Sequence, residues 1–116
     1  MRVFFFPEVD YLVGDIFDLP EKSRDIVICS HTIEHVPRPR MFIEKLCQIA
    51  REYVVIACPF QEPRPLIPGH LHSINKAFID QFNYEFLEVY TSMHWHQSKA
   101  CIFAINAAEN CLRPGV

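Results

Sequence analysis

A chain of 116 residues, half of them apolar and 13% aromatic, has room for one small domain with a modest core, and is neither disordered nor fibrous. Its net charge of -3, with lysines and arginines scattered, gives no electrostatic reason to expect nucleic acid. The longest apolar run, around Tyr53 to Phe60, is far too short to span a bilayer. Pro7, Glu8 and Asp10 interrupt the N-terminal stretch before it reaches signal-peptide length, so the expected setting is cytoplasmic, without membrane. The three glycines, Gly14, Gly69 and Gly115, lie too far apart to wrap a phosphate, which excludes a P-loop and a dinucleotide fingerprint within this chain. The five cysteines form no C-x-x-C, and four sit in apolar stretches, which reads as small buried side chains in a reducing compartment.

In chain order, residues 1–10 are a lead-in of unclear role in which Val3 to Phe6 can form a strand. An exposed Phe4-Phe5-Phe6 would be an aggregation hazard, so it is expected to pack on something. Tyr11 to Val13 reads as a short strand ending at Gly14-Asp15, and Asp18 to Arg24 as a polar, turn-prone link. Asp25 to Cys29 is short, apolar and β-branched, as a strand buried on both faces of a parallel sheet requires. Met41 to Arg51 sets Phe42, Leu46 and Ile49 on one helical face, and Pro39 suits the first turn, where a missing N–H costs nothing. Tyr53 to Cys58 is a second apolar strand, which completes a βαβ unit with a parallel strand pair.

Phe60 to His72, with Pro63, Pro65, Pro68 and Gly69, is a loop long enough to cap a pocket. Ser73 to Phe82 reads as a second helix, with Asn75 as N-cap, Ile74 and Ile79 as a hydrophobic staple and Asn83 as a left-handed exit. Tyr84 to Tyr90 and Lys99 to Asn106 read as a final antiparallel strand pair, and residues 107–116 as a tail.

Gly14-Asp15-Ile16-Phe17-Asp18-Leu19-Pro20, Asp25 to Ser30, Ile33-Glu34-His35-Val36, Phe42 to Leu46 and Gly69-His70-Leu71-His72, in this order and spacing, resemble the class I S-adenosylmethionine-dependent methyltransferases, in particular the type 11 branch. The resemblance covers roughly residues 11 to 106, the stretch expected to form a truncated methyltransferase-like domain. The family's Gly-rich first motif, with the strand and helix around it, has no counterpart in this chain. The implied fold is α/β: a partial Rossmann-like sheet, mostly parallel, with an antiparallel C-terminal pair. In the family the strand order is 3-2-1-4-5-7-6. Tyr11 to Val13 stands for the third strand, and the two strands that would separate it from Asp25 to Cys29 are missing. It must therefore pair directly with Asp25 to Cys29, borrow Val3 to Phe6 as a neighbour, or stay outside the sheet. The bared strand edge invites self-association.

The resemblance implies methyl transfer from S-adenosylmethionine to a small-molecule or other acceptor that the sequence does not identify. It implies cofactor contacts at Asp15 and Ile16, on the adenine edge, and at Ser30, His31 and Thr32, which line the pocket after the fourth strand. His35 and His70 are the candidates for a role in the chemistry. Each has a plainer alternative: the Glu34-His35 turn tying backbone to backbone, Asp15 as a turn residue, His70 as a packing or capping group. Two other classes stay open. One is a non-catalytic remnant or interaction module that keeps the fold. The other is a metal-dependent hydrolase, because His31-Thr32-Ile33-Glu34-His35 reads H-x-x-E-H. That motif needs both histidines on one helical face, and Pro37 and Pro39 leave little room for a helix. A third ligand would have to come from Glu44 or the later histidines. The H-x-H pairs His70/His72 and His94/His96 match no zinc-finger spacing, so no metal site is assigned from sequence.

Overall fold

The computed structural model describes residues 8–93 and 98–115. The sheet begins with β1, Arg24–Ser30. The helix α1, Pro39–Ile49, leads without a loop into β2, Ala50–Pro59, since Ala50 is both the extended C-cap of the helix and the first strand residue. A short helix, α2, Lys76–Ile79, precedes β3, Tyr84–Thr91, and β4, Lys99–Asn106. The sheet order is β1-β2-β4-β3. β1 and β2 are parallel, with Val27 opposite Val54 and Cys29 opposite Ile56. β4 lies antiparallel to both β2 and β3. This is an α/β fold with the 4-5-7-6 half of the expected order, including its antiparallel pair.

One sheet face carries the core. Val54, Ile56 and Cys58 of β2 alternate with Tyr53, Val55 and Ala57, and the register sets them beside Ile105, Phe103 and Cys101 of β4. Ile43, Leu46 and Cys47 of α1 cover this face, with Ile33, Phe60, Ile74, Ile79 and Phe82 from the connections. Burial of these side chains away from water is what holds helix and sheet together. Lys22, in a left-handed conformation, donates from Nζ to the carbonyls of Cys47, Ala50 and Ala107. It thereby satisfies carbonyls at the end of α1, where a cation also suits the helix dipole.

Four expectations need correction. Tyr11 to Val13 forms no strand, because the neighbours that would hydrogen-bond it are not among the described strands, and β1 pairs with β2 alone. The parallel part of the sheet is therefore the β1–β2 pair. β1 is buried on one face only: Cys29 packs inward while Ile26 and Ile28 stand 52% and 75% exposed. The second helix is one turn long, not Ser73 to Phe82. Gln61 N–H donates to the Ile74 carbonyl and Ser73 Oγ–H to the Glu62 carbonyl, which hold its predicted first turn against the preceding loop. Asn75 does cap the helix, accepting from Phe78 N–H at 2.9 Å, but Asn83 is not among the residues with positive φ. Val3 to Phe6 and His94 to His96 lie outside the described residues. Among the described residues, no helix is long and apolar enough to cross a membrane.

Candidate functional site

Because β1 and β2 run parallel, their carboxyl ends share one edge, which is where open α/β sheets hold ligands. Both exits turn through left-handed residues, His31 (φ 51°) after β1 and Gln61 (φ 51°) after β2. Such conformations are uncommon outside glycine. The His31 N–H extends the ladder to the Ala57 carbonyl at 2.7 Å. A single 3-10 turn, Ile33–His35, follows, with Ile33 and Glu34 buried. It is too short to set His31 and His35 on one helical face, so the H-x-x-E-H arrangement of a metallohydrolase does not form.

The turn is joined to the loop after β2. Leu71 N–H donates to the Glu34 carbonyl at 2.7 Å, and His35 Nδ1 lies 2.9 Å from the Gly69 carbonyl. Gly69 has φ 94°, and its open side faces the His35 ring. His70 and His35 meet edge to face at 4.7 Å between ring centres. His70 Nδ1 lies 2.5 Å from Glu62 Oε1, while Glu62 Oε2 accepts from Ile67 N–H at 2.7 Å. Glu34 is 1% exposed; its Oε2 lies 3.7 Å from His31 Nδ1 and 3.9 Å from His35 Nε2. Glu34 Oε1 has no hydrogen-bond partner among the described residues. Burial raises the Cys29 thiol pKa beneath this turn, a bond with Thr32 opposes the shift, and the Glu34 charge adds to it.

His35 and His70, chosen from sequence, are thus in contact. Ser30, His31 and Thr32 lie at the same edge, with Thr32 Oγ1–H donating to the Ser30 carbonyl. Asp15 and Ile16 line a surface groove of about 460 Å3 with Leu12, Val13, Gly14, Asp18 and Leu19, a size within the usual range for small-molecule sites, and Ser30 to Thr32 are not part of its lining. Asp15 Oδ1 accepts from Phe17 N–H, which caps the 3-10 helix Ile16–Asp18. His72 turns away and bonds the Val36 carbonyl. Sequence reasoning missed Glu62. Its only signal was that it is the one acidic residue of the proline-rich loop from Phe60 to His72.

Residues 2–58 match the family described as methyltransferase domain. Among solved structures, a SAM dependent methyltransferase from Aquifex aeolicus is similar with a TM-score of 0.60 and 15% identity, over 87% of this chain and 56% of that one. The [4+2]-cyclase SpnF is similar with a TM-score of 0.64 and 9% identity, over 84% of this chain and 55% of that one. The chain therefore spans little more than half the length of either structure, and at these identities the likeness shows the fold alone. No curated protein matches it. The match over residues 2–58, just under half of the chain, and the shared fold make this chain similar to the S-adenosylmethionine-dependent methyltransferases.

Proposed function

We propose that the chain is the adenine-side and acceptor-side portion of an S-adenosylmethionine-dependent methyltransferase. A cyclase and a methyltransferase are both similar in fold to this chain, so fold alone does not select the reaction. The observation that carries the reading is the Asp15-Ile16 turn. None of the described hydrogen bonds uses the second Asp15 oxygen or the Ile16 N–H. A carboxylate oxygen beside a backbone N–H fits the adenine edge, which offers an amino donor next to a ring acceptor. S-adenosylmethionine, when bound, supplies an electrophilic methyl group on its sulfonium. In this reading Asp15 and Ile16 hold the adenine in their groove, the Ser30 to Thr32 turn contacts the cofactor from the sheet edge outside that groove, and the His35–His70 pair faces the acceptor. Their contribution is placement of the reacting groups.

The fit is partial. No pair of glycines stands close enough to cradle the amino acid portion, and no described residue takes the place of the carboxylate that holds the ribose hydroxyls in the family. Equilibrium binding of radiolabelled S-adenosylmethionine to the 116-residue chain and to Asp15→Ala tests the reading. Weak saturable binding that Asp15→Ala abolishes supports it. Binding unaffected by Asp15→Ala contradicts it. A non-catalytic module that keeps the fold is the second reading, favoured by the apolar sheet face around Ile26, Ile28 and Phe86. Complete absence of binding by the wild-type chain selects it.

A further inference from the structure

We infer that Glu34, His35 and His70 form a binding site for a first-row divalent metal ion of the zinc type. One donor atom from each lies within 4.8 Å of the others. The inference goes beyond methyl transfer, and holds whether or not the chain binds S-adenosylmethionine.

Three features support it. First, the carboxylate of Glu34 is buried, and Oε1 has no hydrogen-bond partner among the described residues. A buried ionised carboxylate is costly unless a cation or hydrogen bonds compensate it. The imidazoles of His31 and His35 approach only Oε2, at 3.7 and 3.9 Å. Second, both histidines of the group are oriented through Nδ1. His35 Nδ1–H points to the Gly69 carbonyl and His70 Nδ1–H to the Glu62 carboxylate. That tautomer makes Nε2 the coordinating nitrogen of each ring. Backbone carbonyl and carboxylate partners of this kind are what fix ligand histidines in metal sites. Third, Leu71 N–H to the Glu34 carbonyl locks the two ligand-bearing segments together, so the donors come from two anchored chain exits.

The donor set defines the metal class. Two imidazoles and one carboxylate suit zinc and its first-row neighbours; calcium and magnesium favour oxygen donors alone. Three protein ligands leave a coordination position for water or a substrate oxygen, as in catalytic rather than structural zinc sites. Bringing donors that lie within 4.8 Å of one another to coordination distance asks for adjustment of the side chains, of which His35 is the most exposed.

The test uses the full 116-residue chain and zinc chloride alone. Isothermal titration should give one zinc ion per chain, and zinc X-ray absorption should show nitrogen and oxygen ligands at about 2.0–2.2 Å with no sulfur at about 2.3 Å. His35→Ala and Glu34→Gln should abolish binding. Glu62→Gln, which weakens only the support of His70, should lower affinity about 10–100-fold. His72→Ala should leave affinity unchanged. Circular dichroism checks the fold of each variant. Should Glu34→Gln unfold, the exposed His35→Ala and the wild-type absorption spectrum still decide. Failure of the wild-type chain to take up zinc, sulfur in the first shell, or full affinity in His35→Ala would overturn the inference.

Discussion

His70 Nδ1 and Glu62 Oε1 lie 2.5 Å apart, with side chains 9% and 3% exposed. This buried pair joins the first turn after β2 to the residue that meets His35. Glu62 also accepts from Ile67 N–H and, through its carbonyl, from Ser73 Oγ–H. A single residue, through its carboxylate and its backbone carbonyl, therefore organises the loop over the sheet edge.

Glu62→Ala should accordingly be among the costly substitutions. It leaves Ile67 N–H and His70 Nδ1 without their acceptor, and hydrogen bonds to charged groups contribute roughly 1.5–3 kcal/mol each. The expected loss is about 3 kcal/mol in urea unfolding. A loss below about 0.5 kcal/mol, the range of ordinary surface changes, would contradict the role given to Glu62.

Gly69→Ala should cost about 1–2 kcal/mol, the strain of a left-handed backbone for a residue with Cβ. The added Cβ would meet the His35 ring at 3.7 Å, an ordinary contact, so the cost is conformational rather than steric. An Ala variant as stable as wild type in thermal unfolding would show that the loop can relax.

Ile56 and Ile28 are one register step apart on neighbouring strands and should behave oppositely. Ile56 is fully buried, and Ile56→Ala should cost about 2–5 kcal/mol in chemical unfolding. Ile28 is 75% exposed, and Ile28→Thr should change stability by no more than about 0.5 kcal/mol. We expect the wild-type chain to self-associate through the bared β1 edge and this apolar face, and Ile28→Thr to reduce that association in sedimentation velocity. A wild-type chain that stays monomeric at high concentration would contradict the expectation.

Asp80 gives a pH dependence with a definite sign. Its carboxyl pKa is lowered chiefly by the Lys76 ammonium at 2.7 Å, helped by the Tyr84 hydroxyl. The folded pKa lies below the unfolded value of about 4, so the unfolded chain takes up the proton first as pH falls. The contribution is present above the unfolded value and is lost as pH drops through the folded one. Asp80→Asn should flatten the fall of Tm in that acid range and leave the profile near neutral pH unchanged. An acid limb as steep as wild type would exclude Asp80 as its source.

The parts of the fold legible in the sequence are those whose evidence is local. Val27, Ile28, Val54 and Ile56 sit in β-branched runs flanking a helical stripe, and such a pattern leaves one arrangement. The antiparallel β3–β4 pair was legible from its short polar link. Tyr11 to Val13 misled because a three-residue apolar run does not reveal whether a partner strand exists. The first turn of the predicted second helix was lost to Glu62 and Gln61, whose bonds to Ser73 and Ile74 cross about a dozen residues and leave no periodic trace. At the site, His35 and His70 were visible as polar residues beyond strand ends. Their meeting depended on Glu62, Gly69 and the Leu71–Glu34 bond, which only the folded loop brings together.

Residue-resolved NMR titration of the 15N-labelled chain with S-adenosylmethionine tests the central claim most directly. Losing the ribose carboxylate and the Gly-rich backbone contacts removes on the order of 5 kcal/mol, which moves a micromolar site to about millimolar or weaker. The account predicts saturating shifts at Asp15, Ile16, Ser30, His31 and Thr32 with an affinity in that weak range. Shifts confined to other residues, or low-micromolar binding by this chain alone, would contradict it.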